Sequence, residues 1–248
     1  MREILMVIPT YCERQSLPQV LSELHRDFPV ADVLVVDDNS PDGTGEWVQE
    51  FSEANPWVHV LHRPAKSGLS SAYIKGLQWG IDRGYTIVGQ MDADGSHQTS
   101  DLERLYGMAV SLERPAGVIG SRWVKGGSVN DWSWNRKMLS KLGNWYIKAW
   151  LGLPVLDATA GFRMYNAAQL QESQALQQIT ARGYGYQTQM TQNLHAAGYK
   201  LREVPISFCE RQSGQSKMSA DIFWEQLVDV TKSGFRRIWR RCGLSRGN

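Results

Sequence analysis

The sequence predicts an α/β protein whose mostly parallel central sheet is flanked by helices. Three observations support this prediction. Short apolar runs alternate with helical patterns along residues 3–120, which is the order that βαβ units require. The runs are rich in Val and Ile, as expected for strands that are buried on both faces of a sheet. The chain of 248 residues is also long enough to bury one full-sized core.

The predicted elements follow one another at regular spacing. Strands are predicted, in chain order, at 3–8, 32–37, 57–62, 85–91 and 116–120. Helical patterns fall between and after them at 16–27, 43–54, 68–82, 99–113 and 135–151. Residues 122–134 are rich in Gly, Ser, Asn and Trp. We expect this segment to be a long loop, placed to act as a lid.

Composition excludes several classes of protein. With 42% hydrophobic and 21% charged residues, the chain is an ordinary globular protein. Its 3 Cys residues are far apart and lack CxxC spacing, which argues against a disulfide framework or a zinc knuckle. No signal-peptide pattern precedes the first strand, and no apolar run approaches the ~20 residues of a membrane span. We therefore expect a cytoplasmic protein that does not cross a membrane by itself.

Polar residues follow four of the predicted strands at the point where each strand ends. They are Thr10 and Tyr11, then Asp37 and Asp38, then Asp92 and Asp94, and finally Arg122. Ligands of open α/β sheets bind beyond the carboxyl ends of the strands. The sequence therefore predicts one site along this edge of the sheet.

The pair Asp92 and Asp94 is the most informative part of that edge. In an extended segment, residues i and i+2 point to the same side, and two adjacent carboxylates repel unless a cation lies between them. A hard divalent metal that also binds a diphosphate is the natural occupant. The alternative is a pair of turn-forming aspartates. His97, close by, is either a turn residue or a partner of the metal ligands, and we favour the turn.

Several segments together resemble one enzyme family. They are 7–13 (VIPTYCE), 35–44 (VVDDNSPDGT), 91–97 (MDADGSH), 120–123 (GSRW), 157–163 (DATAGFR), 183–187 (GYGYQ), 204–208 (VPISF) and 210–218 (ERQSGQSKM). The first three resemble family 2 glycosyltransferases of the GT-A fold. The whole set resembles the polyprenol (dolichol) monophosphomannose synthases, particularly the actinobacterial type. This resemblance implies a GT-A catalytic domain at 1–218, followed by a basic amphipathic helix or tail at 219–248.

The resemblance also implies site residues. Residues that match those holding the guanine and ribose of GDP-mannose are Pro9, Tyr11, Glu13, Val36 and Asp38. Asp92 and Ala93 match the donor-binding strand end, and Arg122, Arg211 and Lys217 match cationic contacts to the donor or its phosphates. Asp94 matches the direct ligand of Mg²⁺ or Mn²⁺. Ser96 stands where relatives often have a Gln metal contact. Arg136 and Ser140 match the pair that receives the lipid phosphate.

The expected reaction is mannosyl transfer from GDP-mannose to a polyprenyl monophosphate. Charge builds up on the departing diphosphate, and a metal on Asp94 together with Arg211 and Lys217 would stabilise it. A phosphomonoester acceptor is already anionic near neutral pH, so it needs cations that place it and no strong general base. A single displacement inverts the sugar carbon. We expect Arg163, Arg182 and Lys200 to be surface or helix-capping charges.

The acceptor side is predicted to meet a membrane surface. Residues 132–153 combine Trp, Tyr, Lys and Arg, as elements at the lipid headgroup level do. Leu139, Leu142, Trp145, Tyr146, Ala149 and Trp150 are predicted to share one helix face. A core-facing aromatic helix is the alternative. We favour peripheral binding to the inner face of the cell membrane, stabilised by a separate membrane protein.

The basic C-terminal end supports the same location. Residues 200–248 hold 10 Lys and Arg against 5 Asp and Glu, and aromatic residues interleave with the cations. This pattern suits a membrane interface better than a nucleic acid groove; a solvated helix is the alternative.

Two other functions remain open at this stage. One is transfer of glucose from UDP- or GDP-glucose to the same lipid phosphate. The other is a non-catalytic subunit that binds a sugar nucleotide.

Overall fold

A computed structural model of the protein describes residues 3–181, 183, 185–210 and 230–235. Its strands form a sheet of 7 and a sheet of 2. They are β1 (Ile4–Thr10), β2 (Ala31–Asp37), β3 (Val58–His62), β4 (Ile87–Gln90), β5 (Gly117–Ser121), β6 (Ser128–Val129), β7 (Arg163–Asn166), β8 (Leu201–Pro205) and β9 (Ser207–Phe208).

Helices separate most of these strands. They are α1 (Leu17–Asp27), α2 (Thr44–Ala54), α3 (Leu69–Asp82), α4 (Leu102–Ala109), α5 (Trp134–Leu151), α6 (Ala167–Glu172) and α7 (Gly185–Ala196). A 3₁₀ turn, Thr99–Asp101, precedes α4, and residues 230–235 are helical. Among the described helices, none is both long and apolar enough to span a bilayer.

The large sheet has the order β3-β2-β1-β4-β7-β5-β8. Every neighbouring pair is parallel except the two pairs that contain β7. The predicted α/β class with a mostly parallel central sheet is confirmed. The sequence did not predict β7, the antiparallel strand that lies between β4 and β5 in the sheet.

Strand β1 is buried on both faces because each face packs against a different core. Leu5 and Val7 belong to one core, and Met6 and Ile8 belong to the other. This alternation follows from the two-residue period of a strand. Gly76 lets α3 approach β1 closely, since a Cβ atom there would lie 2.3 Å from Cγ1 of Val7. Apolar burial on both faces thus fixes β1 at the centre of the sheet.

The strand order changes direction at β1. Chain order runs outward from β1 through β2 to β3 on one side, and β4 lies on the other. At such a switch point the connections leave a crevice beyond the carboxyl ends of the strands. The fold therefore places its ligand crevice beside Thr10, Asp37 and the residues after Gln90.

Three predicted boundaries differ from the structure. Strand β4 ends at Gln90, and residues 93 and 94 lie in a turn, so the i and i+2 argument for extended carboxylates does not describe this backbone. The helix expected at 99–113 begins as a 3₁₀ turn and ends at Ala109. The expected loop at 122–134 contains β6, which pairs with β9 and so ties the segment to the body of the protein.

Candidate active site

The nucleotide side of the candidate site begins at the β1–β2 pair. The strand register sets Pro9 beside Val36 and Thr10 beside Asp37, and the backbone N–H of Asp38 donates to the Thr10 carbonyl at 3.1 Å. The structure thus brings the predicted donor residues of these two strands together. The Val36 side chain packs into the core and is fully buried, so it anchors the end of β2 to the core.

Asp37 organises the edge through its own hydrogen bonds. Its Oδ1 accepts from the Thr10 hydroxyl at 2.9 Å and from the Ser40 hydroxyl at 2.6 Å, while Oδ2 accepts from the Ser40 N–H at 3.0 Å. Gly45 of α2 packs against this carboxylate, because a Cβ atom there would lie 2.8 Å from Oδ2. Asp37 therefore holds the loop after β2 in place.

Asp38 contacts the loop that follows β3, a contact that the sequence did not predict. Its Oδ1 pairs with Nη1 of the buried Arg63 at 2.8 Å, and its Oδ2 accepts from the Ser67 N–H at 3.3 Å. Burial raises the pKa of Asp38, and the positive charge of Arg63 opposes that rise. Because these contacts are tertiary, no spacing in the sequence indicated Arg63. Asp38 fastens the 63–68 segment beside the nucleotide edge.

Tyr11 lies under a cation from the same segment. The Lys66 ammonium is 4.0 Å from the centre of the Tyr11 ring, a cation–π contact. Glu13, the next predicted donor residue, accepts from the Ser16 hydroxyl at 3.0 Å through Oε2. Sequence reasoning missed Lys66, for which no motif gave a signal. The predicted donor residues thus lie beside a positive side chain.

Asp92 sits on a buried aromatic support. Its Oδ1 accepts from the Tyr73 hydroxyl at 2.7 Å, and Tyr73 stacks on Tyr186 with ring centres 5.5 Å apart. Burial and then the charge of Asp92 raise the pKa of Tyr73 well above its usual value, so the hydroxyl stays a neutral donor. A Cβ atom on Gly161 would lie 3.5 Å from Oδ2 of Asp92. Tyr73 therefore orients the carboxylate through Oδ1, and Gly161 leaves space beside Oδ2.

Asp94 and Ser96 offer oxygen ligands to a divalent cation. Asp94 is buried, and its Oδ1 accepts from the Ser96 N–H at 3.1 Å. The Ser96 hydroxyl oxygen is buried and has no hydrogen-bond partner within the described residues. An anionic carboxylate and a hydroxyl in need of a partner suit Mg²⁺ or Mn²⁺, which prefer oxygen. The residues present therefore fit the expected metal.

His97 is a buried part of the site, so our preference for a simple turn residue was wrong. Its ring stacks on Phe162 at 4.9 Å and meets the Phe208 ring edge-on at 5.5 Å. Its Nδ1 accepts from the Asp92 N–H at 3.2 Å. Burial lowers the pKa of His97, against the opposing effect of the nearby carboxylates. A neutral imidazole thus fixes the backbone at Asp92.

Arg122 is paired with Asp157 from the 157–163 segment. Its Nε and Nη2 donate to Oδ2 and Oδ1 of Asp157 at 2.8 and 2.7 Å, and its backbone N–H donates to Oδ2 at 3.0 Å. Burial would raise the pKa of Asp157, but the charge and hydrogen bonds of Arg122 outweigh burial and lower it. Arg122 also donates to the Thr159 hydroxyl at 2.9 Å. Arg122 is thus held in place at the end of β5.

Arg163 is not the surface charge that we expected. It is 1% exposed, and its guanidinium donates to the carbonyls of Ala158, Ala160 and Gln187 at 2.7 to 3.0 Å and to the Thr191 hydroxyl at 2.8 Å. These bonds shape the 157–163 segment around Asp157 and Gly161. The role of Arg163 is to position this segment.

The predicted acceptor residues lie on one face of α5. Arg136, Ser140 and Asn144 are four residues apart and therefore align along the helix. Asn144 Nδ2 donates to the Ser140 carbonyl at 3.1 Å and to the Thr159 hydroxyl at 3.0 Å, and Thr159 contacts Arg122. This face of α5 therefore meets the site. Arg136 is exposed and pairs with Glu210 at 2.7 Å.

The apolar residues of α5 divide into two groups instead of sharing one face. Tyr146 and Trp150 pack on the core and on residues 230–235, where both contact Thr231. Leu142 and Trp145 are 56% and 67% exposed. The exposed group consists of Trp134, Met138, Leu139, Leu142 and Trp145. One side of the helix therefore packs inward, as the core-facing alternative predicted. The other side faces solvent, and its contact with a membrane stays a prediction.

Some predicted residues cannot be placed. Arg211, Lys217 and the tail at 219–248, apart from 230–235, lie outside the described residues, as does Arg182. Cys209, two residues before Arg211, donates its N–H to the Ser96 carbonyl at 3.1 Å. The chain is therefore held against the Asp94–Ser96 turn shortly before Arg211.

Known proteins are similar to this chain over most of its length. Residues 6–173 match the family model described as Glycosyl transferase family 2. The chain is 47% identical over 236 residues to an undecaprenyl-phosphate mannosyltransferase of Micrococcus luteus, covering 95% of this chain and 96% of that protein. It is 42% identical over 245 residues to a polyprenol monophosphomannose synthase of Mycolicibacterium smegmatis, covering 98% and 91%.

Solved structures share the fold at low identity. A mannosyltransferase from Pyrobaculum calidifontis in complex with GDP-Man and Mn²⁺ matches with a TM-score of 0.61 and 16% identity, covering 99% of this chain and 65% of that one. A glucosyl-3-phosphoglycerate synthase from Mycobacterium tuberculosis in complex with Mn²⁺, UDP and phosphoglyceric acid matches with a TM-score of 0.63 and 17% identity, covering 98% and 79%. Likeness at this level establishes the fold alone.

Proposed function

Because this chain belongs to glycosyl transferase family 2, we propose that it is an inverting mannosyltransferase that moves mannose from GDP-mannose to a polyprenyl monophosphate. The observation that carries this proposal is the near full-length identity, at 47% and 42%, to two enzymes named for mannosyl transfer to polyprenyl phosphates. Contacts at the candidate site support the proposal.

The nucleotide would lie along the β1–β2 edge. Tyr11 offers a ring face, and the half-buried Pro9 and Glu13 line the same edge. Asp38, which bonds to Arg63 and Ser67, holds the 63–68 segment beside this edge. These contacts support donor binding by Pro9, Tyr11, Glu13, Val36 and Asp38, with Asp92 and Ala93 at the neighbouring strand end.

The diphosphate would lie near the turn that carries Asp94 and Ser96. A divalent cation held by these two residues would supply positive charge to the departing diphosphate. Ser96 keeps the Asp94 carboxylate oriented through its N–H, and His97 fixes the backbone of Asp92. Arg211 and Lys217 lie outside the described residues; we assign them to the diphosphate because they match the cationic donor contacts of the family.

The acceptor phosphate would meet the face of α5 that carries Arg136 and Ser140. A phosphomonoester carries between one and two negative charges near pH 7, so its oxygen is already a nucleophile. The α5 residues would therefore hold and orient that oxygen. The link from Asn144 through Thr159 to Arg122 supports this placement, because it joins α5 to the donor edge.

The lipid chain requires contact with a membrane surface. The exposed residues Trp134, Met138, Leu142 and Trp145 recur at helical spacing along α5, and Lys137, Lys141 and Lys148 flank them. Apolar and cationic side chains in this arrangement bind the headgroup region of anionic bilayers. We therefore also propose that the protein binds peripherally to the inner face of the cell membrane, aided by a separate membrane protein.

A binding comparison tests the donor part of the proposal against glucose transfer. Isothermal titration of the purified protein with GDP-mannose, GDP-glucose and UDP-glucose, each with Mn²⁺, should give the tightest binding for GDP-mannose. GMP and GDP provide matched controls for the contribution of the second phosphate. Tighter binding of UDP-glucose would contradict the proposed donor and favour a lipid-phosphate glucosyltransferase.

A further inference from the structure

Two tryptophans beside Arg122 carry hydrogen-bond donors that have no partner. The indole nitrogens of Trp123 and Trp132 are both buried, and neither finds an acceptor within the described residues. An indole N–H can only donate, and a buried donor without an acceptor is unfavourable. Two such groups in neighbouring positions therefore require an acceptor from outside these residues, and oxygen atoms of a ligand would supply it.

Cations surround the same two rings. The Arg122 guanidinium carbon lies 5.8 Å from the Trp123 ring centre and 5.6 Å from that of Trp132. Arg136 lies 4.0 Å from the Trp132 ring centre, and the Lys141 ammonium lies 5.2 Å from that of Trp123. Each indole therefore has two cationic side chains around it. Arg122 and Arg136 each also pair with a carboxylate, Asp157 and Glu210, so three cations stand against two carboxylates here and the remaining positive charge favours an anion.

The rings are also held in place. Trp132 meets Phe208 of β9 edge-on, with ring centres 5.5 Å apart, and β9 pairs with β6. Arg122 is fixed by Asp157, which is fully buried. Donors that are already oriented before the ligand arrives bind charge more effectively than mobile ones.

We propose that the indole N–H groups of Trp123 and Trp132 donate to the phosphate of the lipid acceptor, with Lys141 as an additional cation. This inference rests on the proposed function and adds residues to its acceptor site. Lys141 lies three residues after Met138 and four before Trp145 on α5, so it is a neighbour of these exposed apolar side chains on the helix surface. A phosphate bound beside Lys141 would therefore lie next to the surface that we assign to the lipid.

Kinetics of two conservative variants test the inference. Trp123→Phe and Trp132→Phe keep an aromatic ring but remove the N–H. We expect each variant to raise KM for farnesyl phosphate about tenfold, with KM for GDP-mannose and kcat within about twofold of the wild type. Trp79→Phe is the matched control, because Trp79 of α3 packs on His59 and belongs to no part of the proposed site, so it should leave all three constants unchanged. Lys141→Gln should raise KM for the acceptor, while Lys75→Gln, which alters an exposed lysine of α3, should not.

A measurement on the wild-type protein avoids any effect of the substitutions on folding. In ¹H–¹⁵N spectra, the indole resonances of Trp123 and Trp132, assigned with the Phe variants, should move when farnesyl phosphate is added and not when farnesol is added. Movement with GDP-mannose alone would assign these donors to the donor diphosphate and overturn the inference.

The outcomes separate this inference from the proposed function. Wild-type transfer to farnesyl phosphate, combined with an unchanged acceptor KM in both Phe variants, would refute the role of the indoles and leave the function intact. A wild type that transfers mannose to no prenyl phosphate would refute both.

Discussion

Asp157 lies directly behind Arg122 and accepts hydrogen bonds from both its guanidinium and its backbone N–H, at 2.7 to 3.0 Å. The pair links three parts of the site, because Arg122 directly follows β5, Asp157 begins the 157–163 segment, and Thr159 joins both to Asn144 of α5. This buried ion pair therefore connects the donor edge to the acceptor helix.

Removing one partner of this pair should be costly. We expect Asp157→Asn to lower the free energy of unfolding by about 3 kcal/mol, because it leaves the Arg122 charge buried without a counter-charge. Urea denaturation measures this change. The double variant Arg122→Met with Asp157→Leu should be more stable than Asp157→Asn, since neither charge remains. A single variant as stable as the wild type would show that the pair contributes nothing to the fold.

The same pair gives a pH dependence with a defined sign. The pKa of Asp157 is lower in the folded protein than in the unfolded chain, so its stabilising effect is complete above the unfolded pKa of about 4 and is lost as pH falls through the folded value. We expect the stability difference between wild type and Asp157→Asn to be constant from pH 8 to pH 5 and to shrink below pH 4. A difference that grows on acidification would contradict the assignment.

The metal site gives a prediction about Asp94 and Ser96. We expect Asp94→Asn to abolish transfer with the fold intact, since loss of a charged metal ligand removes several kcal/mol of transition-state stabilisation. Ser96→Ala, which removes a neutral ligand, should raise the Mn²⁺ concentration that gives half-maximal activity and cost less activity. Glu103→Gln alters an exposed carboxylate and serves as the control. Near-wild-type turnover of Asp94→Asn at ordinary Mn²⁺ would exclude Asp94 from the mechanism.

Product stereochemistry follows from a single displacement. An α-linked mannosyl donor attacked directly by the lipid phosphate should give a β-linked mannosyl phosphate. The one-bond ¹H–¹³C coupling at the anomeric carbon of the purified product distinguishes the two anomers. An α-linked product would require a covalent intermediate or front-face attack.

Membrane binding should depend on the exposed side of α5. The double variant Leu142→Ser with Trp145→Ser removes two exposed apolar side chains, each able to contribute about 1.5–3 kcal/mol when buried. We expect liposome binding in sedimentation assays to fall at least about tenfold. Leu112→Ser is the matched control, because Leu112 is fully exposed in the turn after α4, away from α5. An equal loss of liposome binding in the double variant and in the control would show that any exposed apolar side chain contributes, wherever it lies.

The basic tail is tested separately. Arg236, Arg237, Arg240 and Arg241 lie outside the described residues, and we predict that replacing all four with Gln weakens binding to anionic liposomes, by about 1 kcal/mol for each cation at low salt. Activity on a long-chain lipid should then drop more than activity on a short soluble analogue. Equal binding and equal activity on both acceptors would identify the tail as a solvated helix.

Much of the fold could be predicted from the sequence, because the spacing of apolar residues determines which segments form buried strands and helices. Strands β1 to β5 are short Val- and Ile-rich runs, and their order fixes where the crevice lies. Strand β7 escaped prediction because Arg163 at its start resembles a surface charge. Only its carbonyl partners, which tertiary folding brings together, explain why it is buried.

Site residues within sequence motifs could be predicted. Site residues that are brought in by tertiary packing could not. The aspartates at the ends of β2 and β4 could be recognised because they directly follow apolar strands. Lys66 and Arg63 could not be recognised, because their partners Tyr11 and Asp38 are more than twenty residues away in the chain. His97 was misjudged because its burial between Phe162 and Phe208 depends on elements that are distant in sequence.

Direct transfer is the most decisive measurement. The purified protein should be incubated with GDP-mannose labelled in the sugar, Mg²⁺ and a short polyprenyl phosphate, and the organic phase should be examined for labelled lipid. We predict a mannosylated lipid phosphate that forms only when metal, donor and acceptor are all present, and no product from UDP-glucose. Absence of labelled lipid with active protein in anionic vesicles, or glucose transfer in its place, would contradict the proposed function.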